Sequence, residues 1–139
     1  MKYYTLEPDV PGSVADPRSI IQNYDTIQSI HYIFDCWPED DILTSYPVYI
    51  VRKNLAKEFG NSNLTGFSIK ACEVSKGKQF AIASPGCGKL PLYEWLHVSG
   101  RAGIDDFGIT QNLRLAISES VVDTLIEFRV SNSKITELL

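Results

Sequence analysis

The sequence predicts one α+β domain over residues 1–139, with a mixed or antiparallel sheet and two or three helices packed on it. Three observations lead to this prediction. Short apolar segments with alternating side chains, such as KYYTLE and GFSIKACEV, are typical of strands. Two segments with apolar residues at helical spacing directly follow strand-like segments. The length of 139 residues, with 44% hydrophobic and 22% charged residues, allows a sizeable core without disulfides or metals.

The first half of the chain is predicted to consist mainly of strands. KYYTLE is a strand, and PDVPGSVADP, with three prolines and one glycine, is a loop. IQSIHYIF is a strand that ends near Asp35, and CWPEDDILTSYP is a loop or a single helical turn. VYIV is a strand that passes directly into the helix RKNLAKEFG. Leu55, Ala56 and Phe59 share one face of this helix, and Gly60 supplies its end.

The second half is predicted to alternate strands with loops before a last helix. GFSIKACEV is a half-exposed strand, because its two faces differ in polarity. Gln79–Ser84 is a short strand or a helical turn, and PGCGKLP is a loop. YEWLHVSG and LRLAIS are strands on either side of the glycine-rich loop GRAGIDDFG. The helix ESVVDTLIEF has Val121, Leu125 and Phe128 on one face and Ser118 as its N-cap.

A shift of 66 residues aligns two parts of the chain. It lays Leu55 on Val121 and Phe59 on Leu125, and both copies read as a strand, a helix, a turn and further apolar residues. Any two strand–helix units with equal element lengths would match in this way. A strand–helix–strand pseudo-repeat is one interpretation of the match, and chance is the other. Both units suggest a domain with helices on one side of a sheet.

Charge is distributed unevenly along the chain. Residues 1–51 contain eight acidic and two basic side chains, a net charge of −6, whereas residues 52–139 have a net charge of +2. The N-terminal part would repel phosphates, which argues against nucleic acid as a partner. A basic protein partner is compatible with this charge, and so is a solvated acidic face that maintains solubility.

Several classes of protein are disfavoured by the sequence. No apolar run approaches the roughly 20 residues of a membrane-spanning helix, and MKYYTLEPDVPG does not resemble a secretory signal. We therefore expect a cytoplasmic protein with no membrane partner. The three cysteines, Cys36, Cys72 and Cys87, are far apart and form no CxxC pair, which favours free thiols over a zinc site or a disulfide framework.

The residues give little support to an enzyme. The only histidines, His31 and His97, lie in predicted strands among apolar neighbours, where a structural role is more common than catalysis. GxSxG, HExxH, a Walker loop and a dinucleotide fingerprint do not occur, and DDFG lacks the other motifs of a kinase. We therefore expect no catalytic residues and no cofactor. A small hydrolase that uses a histidine with acids remains the least favoured alternative.

Two pairs of acidic residues could in principle bind a metal ion or act as a glycosidase pair. They are Asp40–Asp41 and Asp105–Asp106. Adjacent residues in a loop rarely point both side chains at one ion, and the spaced ligands of an EF-hand are absent. We therefore expect no metal site, and we expect these acids to be surface features.

The segment HYIFDCWPEDDILTSYP surrounds Trp37 with carboxylates. Trp37 either plugs the edge of the core or acts as an interface anchor ringed by polar groups. Trp95, within YEWLHV, is expected in the core. The acidic pair of GIDDFG has its own two interpretations, a second binding surface or a turn in which the acids cap backbone amides.

Five segments in order resemble the immunity-protein family 11 of bacterial polymorphic toxin systems. They are YYTLEPDVPG, HYIFDCWPEDDILTSYPVYIV, LTGFSIKACEV, LPLYEWLHVSGRAGIDDFGIT and LRLAISESVVDTLIEF. The most specific parts are the FDxWxxDD stretch at Phe34–Asp41, LTGF at Leu64–Phe67 and GxDDFG at Gly103–Gly108. The resemblance implies a cytoplasmic, non-enzymatic α+β protein that binds and neutralises a cognate toxin domain, with a nuclease as the expected class of toxin.

The resemblance and the acidic segment lead to one hypothesis about the binding surface. A nuclease must hold polyanions, so its cleft is expected to be basic, and an inhibitor can fill that cleft with carboxylates. A generic regulatory interaction module with the same acidic face is the alternative. The expected partner-binding residues are Asp35, Trp37, Glu39, Asp40, Asp41, Tyr46, Asp105 and Asp106.

Overall fold

In the computed structural model, residues 2–138 are described and form four helices and ten strands in two sheets. The helices are α1 (Pro17–Gln22), α2 (Lys53–Asn61), α3 (Phe80–Ala83) and α4 (Glu119–Leu125). The strands are β1 (Tyr3–Glu7), β2 (Gly12–Val14), β3 (Ser29–Phe34), β4 (Ile42–Ser45), β5 (Val48–Arg52), β6 (Phe67–Lys76), β7 (Tyr93–Val98), β8 (Phe107–Ile109), β9 (Leu115–Ser118) and β10 (Lys134–Glu137). The predicted α+β class with a mixed sheet is confirmed, with two sheets and four helices.

The larger sheet has the strand order β2-β3-β6-β7-β5-β4 and is antiparallel except for the β3–β6 pair. Its two edge strands meet, because the Val14 N–H donates a hydrogen bond of 3.0 Å to the Ser45 hydroxyl. The sheet is therefore nearly closed. The smaller sheet, β10-β1-β9-β8, is wholly antiparallel.

Two hydrophobic clusters lie on opposite faces of the same strands. The interior of the curled sheet contains side chains such as Tyr32, Phe34 and Trp95. The other cluster lies between the outside of this sheet, the helices α2 and α4 and the smaller sheet, and it contains Phe59 and Ile117. Strands β5 and β7 contribute to both clusters, which explains why VYIV and YEWLHV read as nearly continuous apolar runs.

The predicted pseudo-repeat corresponds to two units with the same order of elements. In the first, β5, α2 and β6 follow one another, and β7 lies between β5 and β6, antiparallel to both. In the second, β9, α4 and β10 follow one another, and β1 lies between β9 and β10, antiparallel to both. Each unit is therefore a split strand–helix–strand motif with one strand inserted from elsewhere in the chain.

Three of the predicted loops contain or run into short strands, so these predictions were wrong in detail. PDVPGSVADP contains β2, CWPEDDILTSYP contains β4, and GRAGIDDFG runs into β8. These strands of three or four residues form by pairing with the next strand in the chain, and segments so short show no clear alternation in the sequence. Gly12 in β2 shows how close this pairing is, since a Cβ there would lie 2.1 Å from the Ile33 carbonyl oxygen.

The helices differ from the prediction mainly at their ends. PRSIIQ, which was not predicted as a helix, forms α1. Gly60 lies inside α2 rather than ending it. Ser118 caps α4 as predicted, because its hydroxyl accepts a hydrogen bond from the Val121 N–H, but this helix ends at Leu125, before Phe128.

Candidate functional site

Asp40 and Asp41 are buried, which corrects the expectation that they are surface features. Asp40 is fully buried, and its carboxylate accepts hydrogen bonds from the Asn132 backbone N–H (2.8 Å) and side-chain amide (3.2 Å). Asp41 accepts one from the Arg129 N–H at 2.7 Å, while its own N–H donates to the Arg129 carbonyl. These carboxylates are buried because the loop between α4 and β10 passes over them, and the backbone N–H groups of this loop need hydrogen-bond acceptors.

The burial of Asp40 affects its ionisation. Burial raises the pKa of the Asp40 carboxyl above its ordinary value, and the hydrogen bonds from Asn132 oppose this shift only in part. Arg52 lies beside the pair, with its Nε 3.5 Å from Asp41 Oδ1 and a terminal nitrogen donating to the Pro38 carbonyl. Both carboxylates are thus committed to intramolecular contacts.

Asp35 and Glu39 are exposed and form an acidic surface together with Asp9. Glu39 makes one ion pair of 3.2 Å with Arg129, and both side chains are more than half exposed. Burial, followed by the charges of Asp9, Asp35 and Glu39, raises the pKa of the Cys36 thiol. We refer to Asp9, Asp35 and Glu39 as the acidic face.

Trp37 lies at the edge of the interior cluster and is half-buried. Its backbone N–H donates a hydrogen bond of 2.9 Å to the Ser84 hydroxyl, which joins the acidic segment to the end of α3. This position matches the first of the two interpretations, a plug at the edge of the core. Trp95 is fully buried, as expected.

Asp105 and Asp106 cap backbone amides. Asp105 accepts a hydrogen bond of 2.8 Å from the Arg101 N–H. Asp106 accepts one of 2.8 Å from the Thr65 N–H and one of 2.6 Å from the Ser118 hydroxyl. These contacts join the turn before β8 to the loop before β6 and to the N-cap of α4. Both side chains are half-buried, and their role as a second binding surface stays a prediction.

Tyr46, the remaining predicted residue, lies on a surface that the other predicted residues do not share. It is 57% exposed at the turn between β4 and β5. Together with Pro47, Tyr49 and Leu113 it forms a wall common to two adjoining clefts of about 230 and 320 Å³. Ile21 lines the first cleft, and Val10 lines the second.

We call this continuous surface the apolar groove. Its residues are Val10, Ile21, Tyr46, Pro47, Tyr49, Ile109 and Leu113. Sequence reasoning identified only Tyr46, because the other residues come from separate segments that meet only in the fold. The one local signal is the solitary leucine in the polar turn TQNLR, which is unusual for a turn residue.

The acidic face and the apolar groove are neighbours, because one short segment separates them. Val10 lines the groove, whereas Asp9 belongs to the acidic face. Pro11, which follows Val10, also contacts the acidic face, because its carbonyl accepts a hydrogen bond of 2.8 Å from the Asp35 N–H. A single partner surface can therefore cover both.

The two histidines occupy different environments. His97 is buried among Tyr24 and Trp95, and its Nε2 lies 3.0 Å from the Tyr24 carbonyl oxygen, so this nitrogen carries the proton. Burial lowers the pKa of His97 more than this hydrogen bond raises it. His31 lines an open cleft with Glu73, and its Nε2 lies 2.6 Å from the Ser75 hydroxyl oxygen.

Two further properties concern ions and membranes. Within residues 2–138, there is no group of three or more histidine, cysteine, aspartate or glutamate side chains that could hold a metal ion. None of the helices in the described part of the chain has the length and apolar character that crossing a bilayer requires.

A scan against models of protein families, a search of curated proteins and a search of solved structures each gave no significant match to this chain. Its functional residues therefore have to be identified from its own sequence and geometry.

Proposed function

We propose that this protein is an immunity protein, which binds and neutralises a cognate bacterial toxin domain in the cytoplasm and performs no chemistry itself. The observation that carries the proposal is the exposed apolar groove beside the acidic face. Exposed apolar surface rimmed by polar residues is typical of protein–protein interaction sites. The resemblance of five ordered segments to the immunity-protein family 11 supports the same conclusion.

The acidic face indicates the charge of the partner. Asp9, Asp35 and Glu39 lie on the surface of a segment whose net charge is −6, so a basic toxin surface is attracted over some distance. A nuclease cleft that holds polyanions is such a surface. Electrostatic steering can raise association rates to about 10⁸–10⁹ M⁻¹s⁻¹ at low salt, which suits an inhibitor that must act before its toxin does.

The test is a titration of the protein against the toxin domain encoded by the adjacent upstream gene, at low and at high salt. We expect tight binding that weakens as salt increases, because salt screens exposed charges. The variant with Asp35→Lys and Glu39→Lys should bind more slowly, whereas the control with Glu58→Lys and Asp123→Lys, both exposed on α2 and α4, should retain fast binding. No binding by the wild-type protein at either salt concentration would contradict the proposal.

A generic regulatory module with the same acidic face is the alternative within the class of binding proteins. The genomic neighbourhood separates the two, because an immunity gene is expected next to a gene for a large toxin. A basic partner from an unrelated gene, with no binding to any neighbouring toxin domain, would favour the alternative.

One observation favours a second function, a small hydrolase. The His31 Nε2 lies 2.6 Å from the Ser75 hydroxyl oxygen, and this distance is suitable for a base and a nucleophile. Among the described residues, however, no carboxylate makes an ion pair or hydrogen bond with His31, so no third group orients the ring. Hydrolysis of p-nitrophenyl acetate that disappears with Ser75→Ala would support this alternative.

A further inference from the structure

We propose that the apolar groove receives an apolar anchor side chain of the toxin domain, and that basic residues flank this anchor on both sides. This inference rests on the proposed function, and it names the surface and the chemistry of the partner segment. The acidic face then provides attraction beside the groove, while the groove provides the desolvated contact.

The first reason is the concentration of exposed apolar side chains. Ten large hydrophobic residues are exposed in the described part of the chain, and five of them line the groove. These five are Val10, Ile21, Tyr46, Ile109 and Leu113. Val10, Tyr46 and Leu113 lie in three loops, Ile21 lies in α1 and Ile109 ends β8, so the fold collects residues from four separate parts of the chain at one place. Such a collection removes apolar surface from water only when a partner covers it.

The second reason is the backbone of Leu113. Its φ is 62°, in the left-handed region, and its side chain is 57% exposed. The two other described residues with positive φ that are not glycine are Asp16 and Asn63, and both belong to residue types that tolerate this conformation. A leucine side chain at this position is neither favoured by the backbone conformation nor stabilised by burial. Such a strained, exposed apolar residue is typical of a contact with a ligand.

The third reason is the charge at the two ends of the groove. Asp9 precedes Val10 at one end of the groove, and Asp25 follows Tyr24 at the other end, where the Asp25 side chain is 87% exposed. Arg114 is the one basic side chain that lines the groove among residues 2–138, and it is already paired with Glu7 at 2.8 Å. The uncompensated charges are therefore negative, which favours a partner segment with positive charge on either side of its anchor.

Tyrosine in the wall of the groove fits the same partner. Tyr46 and Tyr49 present aromatic rings, which contribute much of the binding energy at protein interfaces and can also contact cations through their faces. Trp37, by comparison, is packed at the edge of the interior cluster. We therefore assign the anchor site to the groove rather than to a pocket at Trp37.

The chemistry of the groove can be tested without the toxin. Two end-blocked hexapeptides, KKWLKK and EEWLEE, are titrated into the full-length protein labelled with ¹⁵N. We expect KKWLKK to shift the amide signals of Ile21, Tyr46 and Leu113 and to bind at least about fivefold more tightly than EEWLEE at low salt. Shifts elsewhere, or equal affinity for the two peptides, would overturn the inference.

The toxin domain provides the second arm. The variants Leu113→Asn and Ile21→Gln should each weaken toxin binding about tenfold or more, as expected for residues at the centre of an interface. The control variants Ile126→Gln and Ile82→Asn replace residues that are 76% and 78% exposed and line neither cleft, so they should bind as the wild type does.

The outcomes separate this inference from the proposed function. If the toxin binds equally well to the wild type and to both groove variants, the inference is wrong and the immunity function stands. If KKWLKK occupies the groove but the toxin does not bind at all, the site and its chemistry are supported and the immunity function is wrong. A dimer in sedimentation analysis that Leu113→Asn dissociates would assign the groove to a second copy and overturn the inference.

Discussion

Leu113 combines two features that are unfavourable for folding at one residue. Its backbone adopts the left-handed conformation, which costs an ordinary side chain about 1–2 kcal/mol, and more than half of its side chain is in contact with water. Nothing within the turn compensates, since the Leu113 N–H donates to the Thr110 carbonyl whatever the side chain is. For the proposed docking of a partner in the groove, the residue suited to binding is therefore not the residue that is best for stability.

Replacement of Leu113 by asparagine should increase stability. We expect the free energy of unfolding of Leu113→Asn to rise by up to about 1 kcal/mol, because asparagine tolerates a positive φ. Urea denaturation of the purified protein measures the change. The matched control is Asn63→Leu, which places leucine at a φ of 54° on an exposed turn and should lower stability by a similar amount. A loss of stability in Leu113→Asn would contradict the account of backbone strain.

His97 should make stability depend on pH. Burial keeps the pKa of folded His97 below the value of about 6.5 in the unfolded chain, so only the unfolded chain takes up this proton as the pH falls below 6.5. Stability from the neutral imidazole is therefore present above pH 6.5 and lost as the pH falls towards the folded pKa. We expect the stability of the wild type, relative to His97→Gln, to decline as the pH falls below about 6.5 in urea denaturation. If the difference in stability between the wild type and His97→Gln did not change below pH 6.5, His97 would not be the source of the pH dependence.

At the scale of elements, the loop between α4 and β10 depends on carboxylates from a distant segment. All four side chains of β10 are exposed, so this edge strand gains little from hydrophobic packing. It is held by its pairing with β1 and by the loop that leads into it, which Asp40 and Asp41 anchor through Asn132 and Arg129. The acidic pair thus supports the edge of the smaller sheet.

Loss of the Asp40 carboxylate should loosen this region. We expect Asp40→Ala to lower stability by about 1–3 kcal/mol and to speed amide hydrogen exchange in β10, because the buried acceptor for two hydrogen bonds is removed. Hydrogen exchange resolved by residue measures both effects. The neighbouring variant Glu39→Ala removes only an exposed ion pair and should change stability by less than about 1 kcal/mol. Equal effects of the two variants would show that the anchor is unimportant.

The elements that sequence reasoning predicted correctly have local causes. Helices α2 and α4 were predicted from apolar spacing and, for α4, from its Ser118 cap, and all of these signals lie within one segment. Strands β2, β4 and β8 were missed, because segments of three or four residues are too short to show a clear alternation, although β4 and β8 pair with the next strand in the chain. In the site, the limit is separation along the chain. Tyr46 could be named from sequence, but the contact of Asp40 with Asn132 spans 92 residues and is invisible without the fold.

At the scale of the whole molecule, the two hydrophobic clusters are coupled through a shared wall. Strands β5 and β7 bury one face in each cluster, with Trp95 on the inner face and Leu96 on the outer face of β7. A loss of packing in one cluster therefore removes support from strands that the other cluster needs. We expect the protein to unfold in one cooperative transition.

A conservative change in the outer cluster should be detected in the inner one. Ile117→Val, in the smaller sheet, should lower the free energy of unfolding by about 0.5–1.5 kcal/mol. The unfolding midpoint measured by Trp95 fluorescence should shift as much as the midpoint measured by circular dichroism. A Trp37→Phe background isolates the Trp95 signal. A shift in circular dichroism alone would indicate that the two clusters unfold independently.

The placement of the apolar groove has a consequence for how such a protein can diversify. Val10, Ile21, Tyr46 and Leu113 belong to neither hydrophobic cluster, so substitutions at these positions alter the surface of the groove without repacking the interior. Under the proposed immunity function this separation is useful, because toxins change under selection to escape their inhibitors, and an inhibitor must follow these changes without losing its fold. With the groove on the surface and structure carried by two enclosed cores, such a chain can acquire a new specificity through a few surface exchanges.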